Sequence, residues 1–199
     1  MIPVVQAAEP KNFDAEVRQR GLGWLREHGV VLDQPPPDPA VLPTFWRMTN
    51  HDLWRAYNGI CAYLSIYFAW PLGASSTDHF VAKSSNAGLA YEWSNYRLSC
   101  LGMNRHKNRF DDVIDPFEMD TNTFLLDLLS GEMTVNPALD AIAAERARTT
   151  IERLQLNAPD TKEMRASHFL DYHSGDTSER YFREHSPFVW SEAHRQGML

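Results

Sequence analysis

The stretch that most constrains the fold of this chain is residues 77–110, TDHFVAKSSNAGLAYEWSNYRLSCLGMNRHKNRF. The run SSTDHFVAKS predicts a short strand, and the later run YEWSNYRLSC predicts a second strand anchored by Trp93 and Leu98. The loop NAGLA separates the two strands, and the run LGMNRHKNRF predicts a short helix directly afterwards. Four polar residues with ligand or base chemistry lie along this strand, loop, strand and helix: Asp78, His79, Asn95 and Asn104.

The remainder of the chain predicts helix more than sheet. The expected fold class is therefore α+β, with a small strand–strand–helix motif embedded in a mostly α-helical domain. Residues 1–43 are expected to form an N-terminal arm, which contains a helix and then the run DQPPPDPAVLP, whose five prolines exclude regular structure. Residues 44–115 form the core that carries the motif. Residues 116–199 form a C-terminal region that is helical in character, with a turn at SGEMTVNP.

Size and hydropathy define the class of protein. Hydrophobic residues make up 43% of the 199 residues and aromatic residues 12%, including six tryptophans, which suffices for the packed core of one domain with or without a subdomain. A mean hydropathy of −0.43 and the absence of a long apolar run exclude a transmembrane helix. The opening MIPVVQAAEPKNFDAE lacks the basic and apolar segments of a signal peptide. We therefore expect a cytoplasmic protein that does not contact a membrane.

The charge of the chain bears on its partners. A net charge of −7 argues against a surface that binds nucleic acid without specificity, because such binding depends on many basic side chains. A local basic patch is compatible with this charge. It consists of Arg97, Arg105, His106, Lys107 and Arg109. The patch predicts either a phosphate-binding surface or the solvated face of a helix.

The polar residues of the motif fit the requirements of phosphodiester hydrolysis. This reaction needs a base that takes a proton from water, a cation that stabilises negative charge, and groups that hold both in place. His79 is the candidate base because the unperturbed pKa of histidine, about 6.5, lies near neutral pH. Asn95 is the candidate orienting residue, since its amide can donate to and accept from the backbone and so join the loop after His79 to the second strand.

Asp78 and Asn104 are candidate ligands of a metal ion. Carboxylate and amide oxygens suit Mg²⁺ or Mn²⁺ rather than Zn²⁺, and Mg²⁺ often takes only one or two protein ligands. Because adjacent residues of a strand point to opposite faces, Asp78 and His79 can meet at one phosphate only where the strand ends irregularly. Arg105 and Lys107, on the same predicted helix as Asn104, are candidates for binding flanking phosphates.

A family resemblance rests on the motif order Asp78-His79, Asn95 and Asn104-x-x-Lys107. The chain resembles the HNH endonucleases, whose active site is a ββα-metal finger, and above all those of bacterial anti-phage defence, the retron-associated and Septu-type nucleases. In these, DHF-x-x-KS, Y-x-W-x-N-x-R-L-x-C and N-x-x-K occur in this order. The resemblance covers roughly residues 50–157. It implies a finger in which Asp78 and Asn104 hold the metal, His79 is the general base and Asn95 orients the loop.

The cysteines depart from the pattern of this family. Many members brace the finger with a zinc ion held by two C-x-x-C pairs. Here the two cysteines are Cys61 and Cys100, and Leu64 and Met103 occupy the positions where the second cysteine of each pair would lie. A structural zinc ion is therefore not expected, and apolar packing is expected to replace it.

The residues of the motif predict metal-dependent hydrolysis of phosphodiester bonds, and the resemblance implies an HNH endonuclease that cleaves DNA as an effector of anti-phage defence. Because an acidic chain binds DNA weakly by itself, a partner protein is expected, and the resemblance suggests an ATPase or a retron complex. Two alternatives stay open. One is a non-catalytic HNH-like scaffold or interaction subunit of a defence complex, and the other is a toxin nuclease. RNA as the substrate is also left open.

Overall fold

The structure, a computed structural model, describes all 199 residues. It is a mixed fold with seven α-helices and two small antiparallel sheets of two strands each. The chain forms two compact units. We call them the helical unit (Met1–Val5, Ile60–Tyr67 and Asp112–Leu199) and the site unit (Gln6–Gly59 and Phe68–Asp111). The three consecutive parts expected from the sequence stay a prediction.

The site unit contains the longer of the two sheets. In chain order it has a π-helical segment at Asp14–Arg18, then α1 at Gln19–Glu27, α2 at Asn50–Ala56, β1 at Ser75–His79, β2 at Tyr96–Cys100 and α3 at Leu101–Lys107. Strands β1 and β2 pair antiparallel, with Ser75 opposite Cys100 and His79 opposite Tyr96. Helix α3 begins directly after β2. The order of strand, loop, strand and helix predicted for residues 77–110 is thus confirmed. The second strand is shorter than predicted, because Trp93 lies in a 3₁₀ turn before β2.

Side chains from the predicted arm pack into the core of the site unit. Phe13 is buried and contacts Trp93 and Tyr96 edge-on, with ring centroids 5.5 and 5.6 Å apart. Helix α1 passes so close to the loop between β1 and β2 that a Cβ atom at Gly21 would lie 2.1 Å from the ring of Tyr91. Only glycine allows this approach. The arm therefore belongs to the hydrophobic core and supports the loop between the two strands.

The proline-rich connector is held against the same loop through its backbone carbonyls. The N–H of Ala87 donates to the oxygen of Gln34 at 3.0 Å, and the hydroxyl of Tyr91 donates to the oxygen of Pro43 at 3.1 Å. Because proline has no N–H, such a segment binds its neighbours mainly by accepting hydrogen bonds. The connector thus covers the loop without forming a strand or a long helix.

The helical unit contains the second sheet and four α-helices. Its elements are β3 at Phe124–Leu126, β4 at Met133–Val135, α4 at Ala141–Arg153, α5 at Pro159–His173, α6 at Glu179–His185 and α7 at Pro187–Arg195. Helix α4 begins after Asp140, whose carboxylate accepts hydrogen bonds from the N–H groups of Ile142 and Ala143, as an N-cap residue does. None of the helices in either unit combines the length and the apolar character needed to span a membrane.

The run TNTFLLDLL, predicted to be helical, instead contains strand β3 of a hairpin with β4. Asp127 holds the turn, since its carboxylate accepts hydrogen bonds from the N–H groups of Leu129 and Ser130 at 3.1 and 2.7 Å. Gly131 completes the turn with a φ of 68°. The helical prediction was wrong here because a short apolar run has the same hydrophobicity in a strand as in a helix, and the turn residues after it decide between them.

Candidate active site

A cleft of about 600 Å³ opens along β1 in the site unit. Its walls come from β1, from residues 82–84 of the following loop, from α3 with residues 108–109 after it, and from residues 46–50 before and at the start of α2. We call it the His79 cleft. Among the predicted site residues, Asp78, His79 and Asn104 line it, whereas the other three do not: Asn95, Arg105 and Lys107.

The imidazole ring of His79 is buried and held in one orientation. Its Nε2 lies 3.0 Å from the backbone oxygen of Ala90, which also accepts a 2.8 Å hydrogen bond from the hydroxyl of Tyr96. Because a carbonyl oxygen only accepts hydrogen bonds, Nε2 carries the ring hydrogen, and Nδ1 of the neutral ring carries none. The rings of Trp46 and Tyr96 contact the imidazole edge-on, with centroids 4.8 and 5.2 Å away. Nδ1 is therefore the nitrogen that can act as a base.

The environment of His79 keeps this ring neutral. Burial lowers its pKa from the ordinary value of 6.5 to about 4, although the hydrogen bond to Ala90 opposes the change. The positive charges of Lys83 and Lys107 lower the pKa further. At neutral pH the imidazole is thus in the form that can accept a proton, as general-base catalysis requires.

The lowered pKa of His79 predicts how stability depends on pH. As the pH falls from 6.5 towards 4, the unfolded chain binds a proton at His79 and the folded chain does not, so the free energy of unfolding should decrease. The expected loss at His79 is about 3 kcal/mol near pH 4. Urea unfolding in the presence of a chelator, at neutral pH and near pH 4, measures this loss. The variant His79→Gln does not titrate and should lose less stability, whereas equal losses in both proteins would contradict the prediction.

Asn95 joins the loop after His79 to the start of β2. Its Oδ1 accepts a hydrogen bond from the N–H of Val81 at 2.8 Å, and its Nδ2 donates to the oxygens of Val81 and Leu89 at 3.0 and 2.9 Å. The residue is buried and lies in a 3₁₀ turn immediately before β2. These are backbone contacts of the kind expected from the sequence. They hold the chain next to Ala90, the residue that orients His79.

Asp78 and Asn104 approach the cleft from β1 and α3. Asp78 is buried and lies opposite Arg97 in the β1–β2 register. Strand β1 stays paired with β2 as far as its last residue, His79, which lies opposite Tyr96. Asp78 and His79 both line the cleft, and their convergence on one phosphate stays a prediction. The Nδ2 of Asn104 donates to the hydroxyl of Ser76 at 2.5 Å. This bond orients the amide, so Oδ1 is the atom of Asn104 that can serve as a ligand.

The donor set of the cleft fits a hard divalent cation. Asp78 offers a carboxylate and Asn104 an amide oxygen, which are donors that Mg²⁺ and Mn²⁺ prefer. No group of three or more His, Cys, Asp and Glu side chains is arranged to hold a metal ion. A cation bound by these two side chains would therefore keep several water ligands, as Mg²⁺ commonly does. Cys61 belongs to the helical unit and Cys100 to the site unit, and the expected lack of a structural zinc ion stays a prediction.

No protein-family model matches this sequence, and no curated protein matches it. We therefore infer the function from the chemistry of the His79 cleft.

Lys107, expected to bind phosphate, has an internal role instead. Its side chain is fully buried, and its ammonium group donates hydrogen bonds to the backbone oxygens of His79 and Phe80 at 3.1 and 2.5 Å. A carboxylate oxygen of Asp111 lies 3.8 Å away. The prediction was wrong because the spacing of residues on α3 does not reveal which face of this helix packs against the end of β1. Lys107 holds the strand end that carries His79.

The basic patch expected around α3 is divided between the interior and the surface. Arg97 is buried, lies over the ring of Phe80 at 5.0 Å and donates a 2.7 Å hydrogen bond to the oxygen of Ser94. Arg105 and Arg109 are exposed, and of these two Arg109 lines the cleft while Arg105 does not. Arg109 is thus better placed than Arg105 to bind a phosphate next to the site.

Replacing Lys107 by methionine is expected to lower the free energy of unfolding by about 2–4 kcal/mol, because two buried carbonyl groups lose their donor. Methionine fills a similar volume but cannot donate to the oxygens of His79 and Phe80. Urea unfolding measures the loss, with Lys11→Met as the matched control at an exposed lysine. An unfolding midpoint equal to that of the control would contradict the internal role of Lys107.

Sequence reasoning missed several residues that form the walls of the cleft: Trp46, Arg47, Asn50 and Lys83. Asn50 is fixed to β1, since its Nδ2 donates to the backbone oxygen of Ser75 at 3.2 Å and its Oδ1 accepts from the Ser75 hydroxyl at 3.0 Å. Nothing in the local sequence around Trp46 or Asn50 indicates a site, because the fold brings this segment to β1 from far along the chain. The run DHF-x-x-KS, which contains Lys83, could have indicated a role for this lysine in the site.

Proposed function

We propose that this chain is a metal-dependent HNH endonuclease that hydrolyses phosphodiester bonds of DNA. The observation that carries the proposal is that Asp78, His79 and Asn104 line one cleft on a β1–β2–α3 unit. This order of elements is that of a ββα-metal finger, and the hydrogen bonds of Asn95 fit the orienting role that such a finger needs. A neutral imidazole beside two oxygen donors suits the hydrolysis of a phosphate ester.

His79 acts as the general base. Nδ1 accepts a proton from a water molecule, the water oxygen forms a bond to phosphorus, and the bond between phosphorus and the leaving oxygen breaks. The electron pair of that bond goes to the leaving oxygen, which takes a proton from solvent. One strand end then carries a phosphate and the other a hydroxyl. The hydrogen bond from Nε2 to Ala90 keeps the ring from turning and stabilises the imidazolium that forms.

Asp78 and Asn104 are the residues that would hold the divalent cation. When bound, the cation supplies positive charge that stabilises the negative charge developing on the phosphate. Asp78 contributes an anionic oxygen and Asn104 a neutral oxygen. Ser76 fixes the amide of Asn104 through its hydroxyl group. Both donors lie on regular elements, which hold ligands more rigidly than loops do.

The charge of the cleft favours a polyanionic substrate. Three basic residues line it, Arg47, Lys83 and Arg109, against one carboxylate, that of Asp78. The whole chain, in contrast, has a net charge of −7. Because affinity for DNA depends largely on the number of neutralised phosphates, the chain alone should bind DNA weakly. A cytoplasmic partner with a basic surface, such as an ATPase or a retron complex of anti-phage defence, would supply the missing affinity.

Incubation of the purified chain with supercoiled plasmid tests the proposal. We expect nicked and linear plasmid with Mg²⁺ or Mn²⁺, and intact plasmid with EDTA, because the reaction needs a divalent cation. A folded RNA incubated in parallel compares the two nucleic acids, and we expect DNA to be cleaved faster. Intact DNA and RNA at every concentration of Mg²⁺ and Mn²⁺ would contradict the proposal and favour the non-catalytic scaffold.

A further inference from the structure

Two lysines near the end of β1 have opposite environments. Lys107 is fully buried and bonded to backbone oxygens, whereas Lys83 lines the His79 cleft and is half-buried. The Nζ of Lys83 donates a 3.0 Å hydrogen bond to the backbone oxygen of Pro39 and lies 5.8 Å from the centre of the Trp46 ring. An ammonium group has three N–H donors. A bond to one carbonyl therefore orients Lys83 and leaves it the capacity to bind an anion in the cleft.

We propose that Lys83 contacts the phosphate that is hydrolysed and stabilises the negative charge that develops on its non-bridging oxygens. This inference rests on the proposed nuclease function. The sequence assigned a contact with flanking phosphates to Lys107 and no role to Lys83, whereas this inference gives Lys83 a contact with the phosphate that is hydrolysed.

The position of Lys83 relative to the candidate base supports a contact with the central phosphate. Lys83 and His79 line the same cleft, and Trp46 contacts both side chains. The charge of Lys83 also helps to lower the pKa of His79, so the two groups interact electrostatically. Lys83 and the candidate base therefore face the same cleft, which supports a contact of Lys83 with the phosphate that is attacked there.

The chemistry of the step explains why an ammonium at this position would accelerate it. In the transition state of phosphoryl transfer, negative charge is spread over the non-bridging oxygens while the attacking and leaving oxygens lie roughly in line. A cation that is already oriented and partly removed from water stabilises this charge without reorganisation. Lys83 donates hydrogen bonds and transfers no proton. Pro39 and Trp46 hold it in place, so the proline-rich connector becomes part of the site.

The two arginines of the cleft differ from Lys83. Arg47 and Arg109 are exposed and lie on the segment before α2 and on the segment after α3, respectively. Exposed arginines suit phosphates that flank the cleaved bond, and such contacts raise affinity rather than rate. Measuring the rate of DNA cleavage separately from the affinity for DNA therefore tests the role of Lys83.

Single-turnover cleavage of a DNA duplex with Mn²⁺, over a range of protein concentrations, separates the two effects. Lys83→Met should lower the maximal rate by about 10²–10³-fold, the usual effect of losing one donor that stabilises transition-state charge. Its half-saturating protein concentration should change little, and so should DNA binding measured by fluorescence anisotropy with Ca²⁺. Lys83→Arg, which keeps the charge, should recover part of the rate. Arg109→Gln should instead raise the half-saturating concentration.

Lys11→Met is the matched control, since Lys11 is exposed and outside the cleft. A maximal rate of Lys83→Met equal to that of the control would overturn the inference. A loss that disappears at high protein concentration would also overturn it, because it would place Lys83 on a flanking phosphate. If Lys83→Met does not fold, Lys83→Gln is measured in its place, and either of these two results for Lys83→Gln would overturn the inference. Failure of the unchanged chain to cleave DNA would contradict the proposed function itself.

Discussion

Replacing His79 by alanine is expected to lower the rate of DNA cleavage by about 10²–10⁴-fold, the usual contribution of a general base. The variant lacks the nitrogen that accepts the proton of water, but it keeps Asp78 and Asn104 as cation ligands. Single-turnover cleavage at saturating Mn²⁺ measures the rate. The affinity for Mn²⁺, measured on the same samples, should stay close to that of the unchanged chain.

The buried position of His79 makes a second variant necessary. Alanine leaves a gap beside the rings of Trp46 and Tyr96 and removes the donor to Ala90. Glutamine keeps an N–H group that can reach this carbonyl, so His79→Gln should fold and still be as inactive as His79→Ala. The matched control is His194→Ala, at an exposed histidine of the helical unit, which should cleave at the full rate. A folded His79→Gln with undiminished cleavage would contradict the role of the base.

Replacing Asp78 by asparagine is expected to reduce metal affinity and cleavage together. The change removes the anionic ligand of the cation and leaves only neutral oxygens. Removing a group that only contacts a metal ligand typically lowers metal affinity by roughly 10–100-fold. Asp78 is proposed as a direct ligand, so its replacement should lower the affinity for Mn²⁺ by more than this. Part of the cleavage should return at high Mn²⁺, because His79 is unchanged. Titration of Mn²⁺ with bound metal and cleavage recorded in parallel measures both effects.

The controls for Asp78 follow from its place in the sheet. Asp78 lies opposite Arg97 in the register, so thermal unfolding must show that the variant keeps its fold. Asp33→Asn, at an exposed aspartate of the connector, should bind Mn²⁺ and cleave like the unchanged chain. Weak cleavage by Asp78→Asn with full Mn²⁺ affinity would place the metal elsewhere.

The order of elements around the site was predictable because neighbouring residues decide it. The loop NAGLA interrupts two strand-like runs, and α3 starts where the second run ends at Cys100. The contacts of Asn95 were predictable in kind as well, since a buried amide next to a loop must satisfy both its donor and its acceptor groups. Both features depend on residues that are near one another in the chain, so the sequence alone could indicate them.

The remaining features depend on packing between distant segments. A lysine is usually exposed, so Lys107 was assigned to phosphate, whereas the fold places it beneath the last carbonyls of β1. Trp46 reaches His79 from a segment that the sequence assigned no role in the site. The connector near Pro39 was expected to belong to an N-terminal arm with no assigned part in the site, but the oxygen of Pro39 accepts a hydrogen bond from Lys83. These relations follow from tertiary contacts, which periodicity and spacing do not encode.

Titrating Mn²⁺ into the unchanged chain, His79→Ala and Asp78→Asn, while recording both bound metal and DNA cleavage, tests the central claim most directly. The unchanged chain should bind Mn²⁺ and cleave. His79→Ala should bind Mn²⁺ with similar affinity and not cleave at a comparable rate, and Asp78→Asn should lose both affinity and cleavage. Equal metal affinity in all three proteins, together with undiminished cleavage by His79→Ala, would contradict the assignment of the His79 cleft as a nuclease site.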